Sequence, residues 1–334
     1  MPIERLTNVA DFDDLLGEVR TFLNATGDWN IHRDLSTPDE GVASGGRILV
    51  VSNGDVLAGL RSTTTGVGAG RMYLFDGVPP YSGTPNLDAL PNNSGIVMTD
   101  GTYNSADTPQ ARVFTTAFAG PFPTAYLFTD DPSTYCHIVV EVTAGKYRHL
   151  LFGNLHKFGS WVGGGYYASH RWSTLTTEID SPGSSFHSVP FDGALGANNG
   201  GQWTMHYEGG GFEWVAPSQG TFNGVNRRQA CGSARGGFGN LFRSIQESAF
   251  SGLVALNPIT VWPVTTTDTP VTTRCAGRVP DVAEINMGNF SAGESLFIGA
   301  DEWIVFPMAT KGLPADRLDV ENSGYYGYAY LVRP

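Results

Sequence analysis

Apolar and polar positions alternate most regularly between Tyr135 and Trp172, where the chain reads YCHIVVEVTAGKYRHLLFGNLHKFGSWVGGGYYASHRW. Apolar and β-branched residues fill Cys136 to Val142, Thr143-Ala144-Gly145 interrupts them, and Tyr147 to Phe152 resumes the pattern. Two such runs across a short glycine-containing gap predict a β-hairpin with a loop of about three to five residues. Because strand side chains alternate, Ile138, Val140 and Val142 share one face, and His137, Val139 and Glu141 the other. On the returning strand Tyr147, His149 and Leu151 oppose Arg148, Leu150 and Phe152. Both faces carry apolar bulk, which predicts a pair central to a sandwich or covered by another layer.

Elsewhere the periodicity is helical only once. Phe12, Leu15, Leu16, Val19, Phe22 and Leu23 form a single apolar stripe, predicting a helix over 8–26 with Thr7 or Asn8 as N-cap and Gly27 at its end. That helix either packs on its own sheet or docks as an arm on a neighbouring subunit. Short strands are predicted at Trp29–Arg33, Arg47–Val51, Val56–Arg61, Arg71–Phe75, Ala111–Phe118 and Thr124–Phe128. Asn53-Gly54 between the second and third of these favours a type I′ turn, hence a two-residue hairpin. Beyond Trp172 the same reading gives strands at Trp203–Tyr207, Phe212–Val215, Gly252–Val264, Phe297-Ile298, Trp303–Met308 and Tyr325–Val332, with a short helix at Leu241–Ala249. The aromatic C-terminal strand is expected to complete a sheet, since its side chains need cover.

These spacings predict a mainly β protein, an antiparallel sandwich or barrel-like architecture with long loops and one N-terminal amphipathic helix. The expected division is an N-terminal helix and linker over 1–40 and a β-rich body over 41–334. Two packed β subdomains within that body would meet near residue 129.

Composition narrows the function classes. The chain has 334 residues, 16% of them charged and 12% aromatic, with 43 glycines of no collagen-like period. That balance excludes general disorder. A net charge of -12 argues against nucleic acid as a partner. Arginine far outnumbers lysine, which is found only at Lys146, Lys157 and Lys311; either large protein interfaces or genomic base composition accounts for that skew. The three cysteines, Cys136, Cys231 and Cys275, lack metal-ligand or redox spacing, and no disulfide framework is expected. No apolar run approaches the roughly eighteen residues of a membrane span, and the start of the chain lacks the apolar core of a secretion signal.

Motifs for chemistry are sparse. Nucleophile-elbow, zinc-protease, P-loop and EF-hand signatures are absent from the sequence, and Gly66–Gly70 reads as a turn. No cofactor and no enzymatic activity are expected. His137, Glu141 and His149 are the best candidate metal or acid–base group; the alternative is a pair of histidines hydrogen-bonded within the core. Acidic pairs at Asp130-Asp131 and Asp301-Glu302 have the residue types a glycosidase uses, but nothing in the sequence pairs one with another, and exposed turns are the plainer reading. Trp161, Tyr166, Tyr167 and Trp172, set among glycines, have the character of a sugar-stacking or interface surface, against a core role. Arg227 and Arg228, with Arg235 and Arg243, suit an interface or internal carboxylate pairing better than a free anion clamp.

The phrases GGRILVVSNGDVLAGLRSTTTG, YLFDGVPPY, AGPFPTAYLFTDD, HIVVEVTAGKYRHLLFGNLHKFGSW and VENSGYYGYAYLVRP resemble a family of tailed-bacteriophage virion structural proteins, over most of the chain. The resemblance carries no catalytic motif. It implies a particle component of the tail or baseplate, assembled in the host bacterial cytoplasm and present in symmetry-related copies, with other virion proteins and copies of itself as partners. Two alternatives stand beside it: a virion module that binds a receptor or host surface glycan, and a head, neck or collar decoration protein.

Overall fold

A computed structural model describes residues 3–36, 47–54, 56–61, 70–74, 114–116, 120–161, 163–169, 190, 203–207, 212–214, 221–222, 225–226, 229–231, 256–262, 275–311 and 326–333. The chain opens with strand β1 (Ile3–Val9) and helix α1 (Phe12–Thr26). Strands β2 (Asn30–Ser36), β3 (Arg47–Asn53), β4 (Val56–Arg61), β5 (Gly70–Leu74) and β6 (Phe114–Thr116) form one antiparallel sheet in that order. Next come β7 (Phe122–Phe128), β8 (Tyr135–Thr143), β9 (Lys146–Asn154), β10 (His156–Lys157), β11 (Gly163–Ser169), β12 (Trp203–Tyr207) and β13 (Phe212–Trp214). All of these except β10 join β1 in a central sheet of order β1-β7-β8-β9-β11-β12-β13. A small ribbon pairs β14 (Thr221–Phe222) with β15 (Val225–Asn226). The outer sheet is built from β16 (Gln229–Cys231), β17 (Asn257–Trp262), β18 (Gly277–Asn286), β19 (Glu294–Ile298), β20 (Asp301–Pro307) and β21 (Tyr326–Val332). Its order is β16-β17-β18-β21-β20-β19, and β10 pairs with β18. The protein is therefore mainly β, with open, sandwich-like antiparallel sheets and no closed barrel among the described strands.

The predicted hairpin lies at the centre of these layers. One face of the central sheet (Ala125, Leu127, Cys136, Ile138, Val140, Leu150, Phe152) packs on α1 and on Leu49, Val51, Ala58 and Leu60 of the β2–β6 sheet. The opposite face (Tyr126, Phe128, Tyr135, Val139, Tyr147, Leu151, Tyr166) packs on Val279, Val282, Phe306, Tyr328 and Tyr330 of the outer sheet. That double burial is why β8 and β9 carry apolar residues at odd and even positions alike. Each large side chain so removed from water contributes about 1.5–3 kcal/mol. β7 and β8, on either side of residue 129, are hydrogen-bonded neighbours in the central sheet.

At the N-terminus β1 pairs with the central sheet and α1 packs against it. Asn8 and Val9, read as the start of the helix, instead end β1, which pairs along β7 from Ile3↔Phe128 to Val9↔Phe122. The helix begins later, with Asp11 as N-cap accepting from the Asp14 N–H at 2.9 Å, while the Asp14 carboxylate accepts from the Ala10 N–H at 3.0 Å. This reciprocal cap satisfies donors that Thr7 and Asn8, held in a strand, cannot reach. Gly27 ends the helix in the left-handed region as expected. All six stripe residues are buried against the chain's own sheets, which is the packed helix and not the docking arm.

The predicted hairpins are present with shifted loops. Asn53 pairs with Val56, which puts it in the strand and not in the turn, and its side chain donates to the Ser133 carbonyl. In the central hairpin Thr143 pairs with Lys146, leaving Ala144 and Gly145 as the loop, with a bulge between Glu141 and Thr143 absorbing the extra residue. Strand β18 escaped the sequence reading because Pro280 and Asp281 interrupt its pattern. The expected helix at Leu241–Ala249 lies outside the described residues.

Candidate functional site: a polar cleft between the central and outer sheets

The histidines of the central hairpin do share a face, as alternation predicts, and that face is sealed. His149 is fully buried, lying diagonally from His137 across the β8–β9 pair. Its Nε2–H donates to the Pro307 carbonyl at 2.9 Å, so Nδ1 accepts from the Tyr330 hydroxyl at 2.7 Å. His137, also fully buried, uses Nε2 on the Tyr166 hydroxyl, and its Nδ1 has no partner among the described residues. Burial holds both imidazoles neutral: His149 is pushed down to about 3, and His137 well below the usual range. Glu141 is occupied by the Thr124 hydroxyl (2.8 Å) and the Gly145 N–H (2.9 Å). Among the described residues no three His, Cys, Asp or Glu side chains converge as metal ligands. The arrangement is that of core histidines tying one sheet to the next.

The aromatic cluster is dispersed by the fold. Tyr166 is fully buried and belongs to the core, correcting its placement on a surface. The alternation that marks its strand does not say which face is covered. Trp161 is half-buried; its indole N–H donates to the Ala276 carbonyl at 3.1 Å, and the Lys157 ammonium lies 5.3 Å from its ring centre. Tyr167 occupies β11 opposite Phe152 and Thr204, and its side chain lies outside the described residues. Trp172, Arg227 and Arg228 also fall outside them.

A site that the sequence reading did not assemble lies where the two sheets part. A cleft of about 280 Å³ is lined by Asp130 and Thr134 from the β7–β8 connection, Asn154, Leu155 and His156 around the end of β9, Arg278, Pro280 and Asp281 of β18, and Arg333. Asp281 anchors it. Its carboxylate accepts from the Arg333 guanidinium at 2.5 and 2.8 Å and from the Tyr135 hydroxyl at 2.9 Å. Its backbone stands at φ 52°, a left-handed conformation that a non-glycine residue adopts only where its surroundings hold it. Asp130 is held by the Thr134 N–H and hydroxyl, both at 2.6 Å, and burial raises its pKa with nearby Asp281 adding to the effect.

Arg278 differs from its neighbours. It is exposed, it faces His156 directly across the β10–β18 pair, and among the described residues nothing pairs with its guanidinium. The pairing of Asp130 with Asp281 joins residues 151 positions apart, which is why adjacency in sequence pointed to Asp131 instead. The signal in the sequence was Pro280-Asp281, an interruption between the apolar positions Val279 and Val282. No protein-family model matches this chain, and no curated protein matches it.

Proposed function

We propose that the chain is a structural component of a tailed-bacteriophage virion, in the tail or baseplate, and that it acts by joining subunits. The carrying observation is the β19 edge. Among the described strands β19 is the terminal one of the outer sheet; on it Phe297 is 67% exposed and Ile298 41% exposed. Edge strands of monomeric proteins are commonly blunted by charge, proline or a bulge, because their free N–H and C=O groups recruit other strands. Here two large apolar side chains stand in the open beside a backbone edge that no described strand covers. Such an edge suits strand addition from a neighbouring subunit, with main-chain hydrogen bonds supplying affinity. The sequence resemblance supports the same reading, and a particle of repeated copies gives such an edge a neighbour.

The test is direct. Purified particles that encode the chain should contain it by mass spectrometry, and the isolated protein should run as an oligomer in native mass measurements. A stable monomer missing from purified particles would overturn the reading.

A further inference from the structure

The cleft at Asp281 has the composition of a binding site in a region that the subunit contacts at β19 do not involve. Its charges are incompletely matched: Arg333 offsets Asp281, whereas Arg278 and His156, paired across β10 and β18, bring to the same cleft nitrogen groups with no partner among the described residues. A planar guanidinium without an internal carboxylate is suited to a carboxylate from outside. The acceptors suit hydroxyl groups. Each carboxylate oxygen takes up to two donors, so Asp130 and Asp281 keep acceptor capacity beyond the bonds they already make. The volume, about 280 Å³, lies just under the roughly 300–1,000 Å³ of sites for drug-sized ligands, which limits the occupant to about one ring. Beyond His156 the surface continues to Phe158, 46% exposed and edge-on to the imidazole at 6.0 Å. An exposed ring beside a polar cleft supplies the apolar face on which a second ring can stack.

We infer that this cleft binds one carboxylated sugar ring of the uronic-acid class, with its carboxylate on Arg278 and His156, its hydroxyls on Asp130 and Asp281, and the adjoining saccharide against Phe158. A bare carboxylate uses only the first of these contacts and a neutral sugar only the others, so neither should match the combination.

The full chain is titrated with glucuronate, glucose and acetate by isothermal calorimetry, alongside Arg278→Ala, Phe158→Ala and Asp130→Asn. Both Arg278 and Phe158 are exposed, so their variants keep the fold, verified by circular dichroism. Glucuronate should bind saturably and at least about tenfold more tightly than glucose or acetate, the order expected for a hydrogen bond to a charged group. Arg278→Ala should bring glucuronate down to the level of glucose, and Asp130→Asn should weaken both sugars. A glucuronate disaccharide should lose its advantage over the monosaccharide in Phe158→Ala. Equal binding of acetate, equal binding of glucose, no saturable binding, or indifference to Arg278→Ala each overturns the assignment. The outcome is separable from the assembly reading, since a chain that stays monomeric can still bind the sugar.

Discussion

His149 shows how much a single side chain can be asked to do once it is sealed between layers. Both ring nitrogens are hydrogen-bonded, one to Pro307 and one to Tyr330, and burial away from water opposes the charge that a second proton would bring. The folded state therefore holds this ring neutral down to about pH 3, while the unfolded chain takes up a proton near 6.5. Between those values the unfolded state binds more protons, so stability is complete above about pH 6.5 and declines as pH falls, by roughly 1.4 kcal/mol per pH unit for each such histidine. His137, stacked on Tyr135 at 4.3 Å, adds in the same direction. Urea unfolding at pH 7 and 5.5 should show the loss, with a shallower dependence in His149→Gln; an unchanged slope in that variant would falsify the neutral-core account. A second residue-scale expectation concerns Gly153, at φ 159° directly across from Tyr135. An added Cβ would stand 2.3 Å from the Tyr135 Cβ and 2.5 Å from its Cα, so Gly153→Ala should cost at least about 1–3 kcal/mol by thermal unfolding. An unaltered melting temperature would contradict that close approach. Alternation alone put His137, Glu141 and His149 on one side of the hairpin. It was silent about Tyr166, Tyr330 and Pro307, because those partners arrive from strands distant in sequence.

At the scale of elements, local chemistry was a good guide wherever a segment's own residues decided its conformation. The α1 stripe, the central hairpin and the aromatic C-terminal strand all form where their patterns lie, and β21 sits between β18 and β20 instead of fraying. Errors cluster where a neighbour decides. Residues 3–9 lack a strong strand pattern, being an edge with several exposed positions, and become β1 only through pairing with β7. Loop positions in the hairpins moved by a residue because Asn53 is recruited by the Ser133 carbonyl and the Glu141 bulge changes the count. The β19 edge supplies the test for this scale. Phe297→Lys combined with Ile298→Lys places two charges on the exposed edge without touching the buried layer. The variant should keep its circular dichroism and melting temperature within about 0.5 kcal/mol of stability, yet shift from oligomer to monomer in sedimentation velocity. Persistence of the oligomer would assign the contacts elsewhere.

For the molecule as a whole, the central sheet belongs to both interlayer cores, so neither outer layer can leave without exposing a face of β8 and β9. We expect one cooperative thermal transition by calorimetry, and two resolved transitions would break the shared-sheet account. Phe306 is the sharpest probe, with Tyr126, Tyr147 and Tyr330 ring centres at 4.8, 5.6 and 6.0 Å. Truncation to alanine should cost about 3–5 kcal/mol and lower that single transition as a unit. The amino-acid sequence by itself determined the β class, the one amphipathic helix and the two-sided burial of the central hairpin, because periodicity and turn residues act over a few neighbouring positions. Only the tertiary structure decided which face of β11 is covered, that residues 3–9 extend the central sheet, and that Asp130, Asp281, Arg278 and His156 line one cleft. Those outcomes depend on strand order and register between segments more than a hundred residues apart, which side-chain alternation within a strand does not encode.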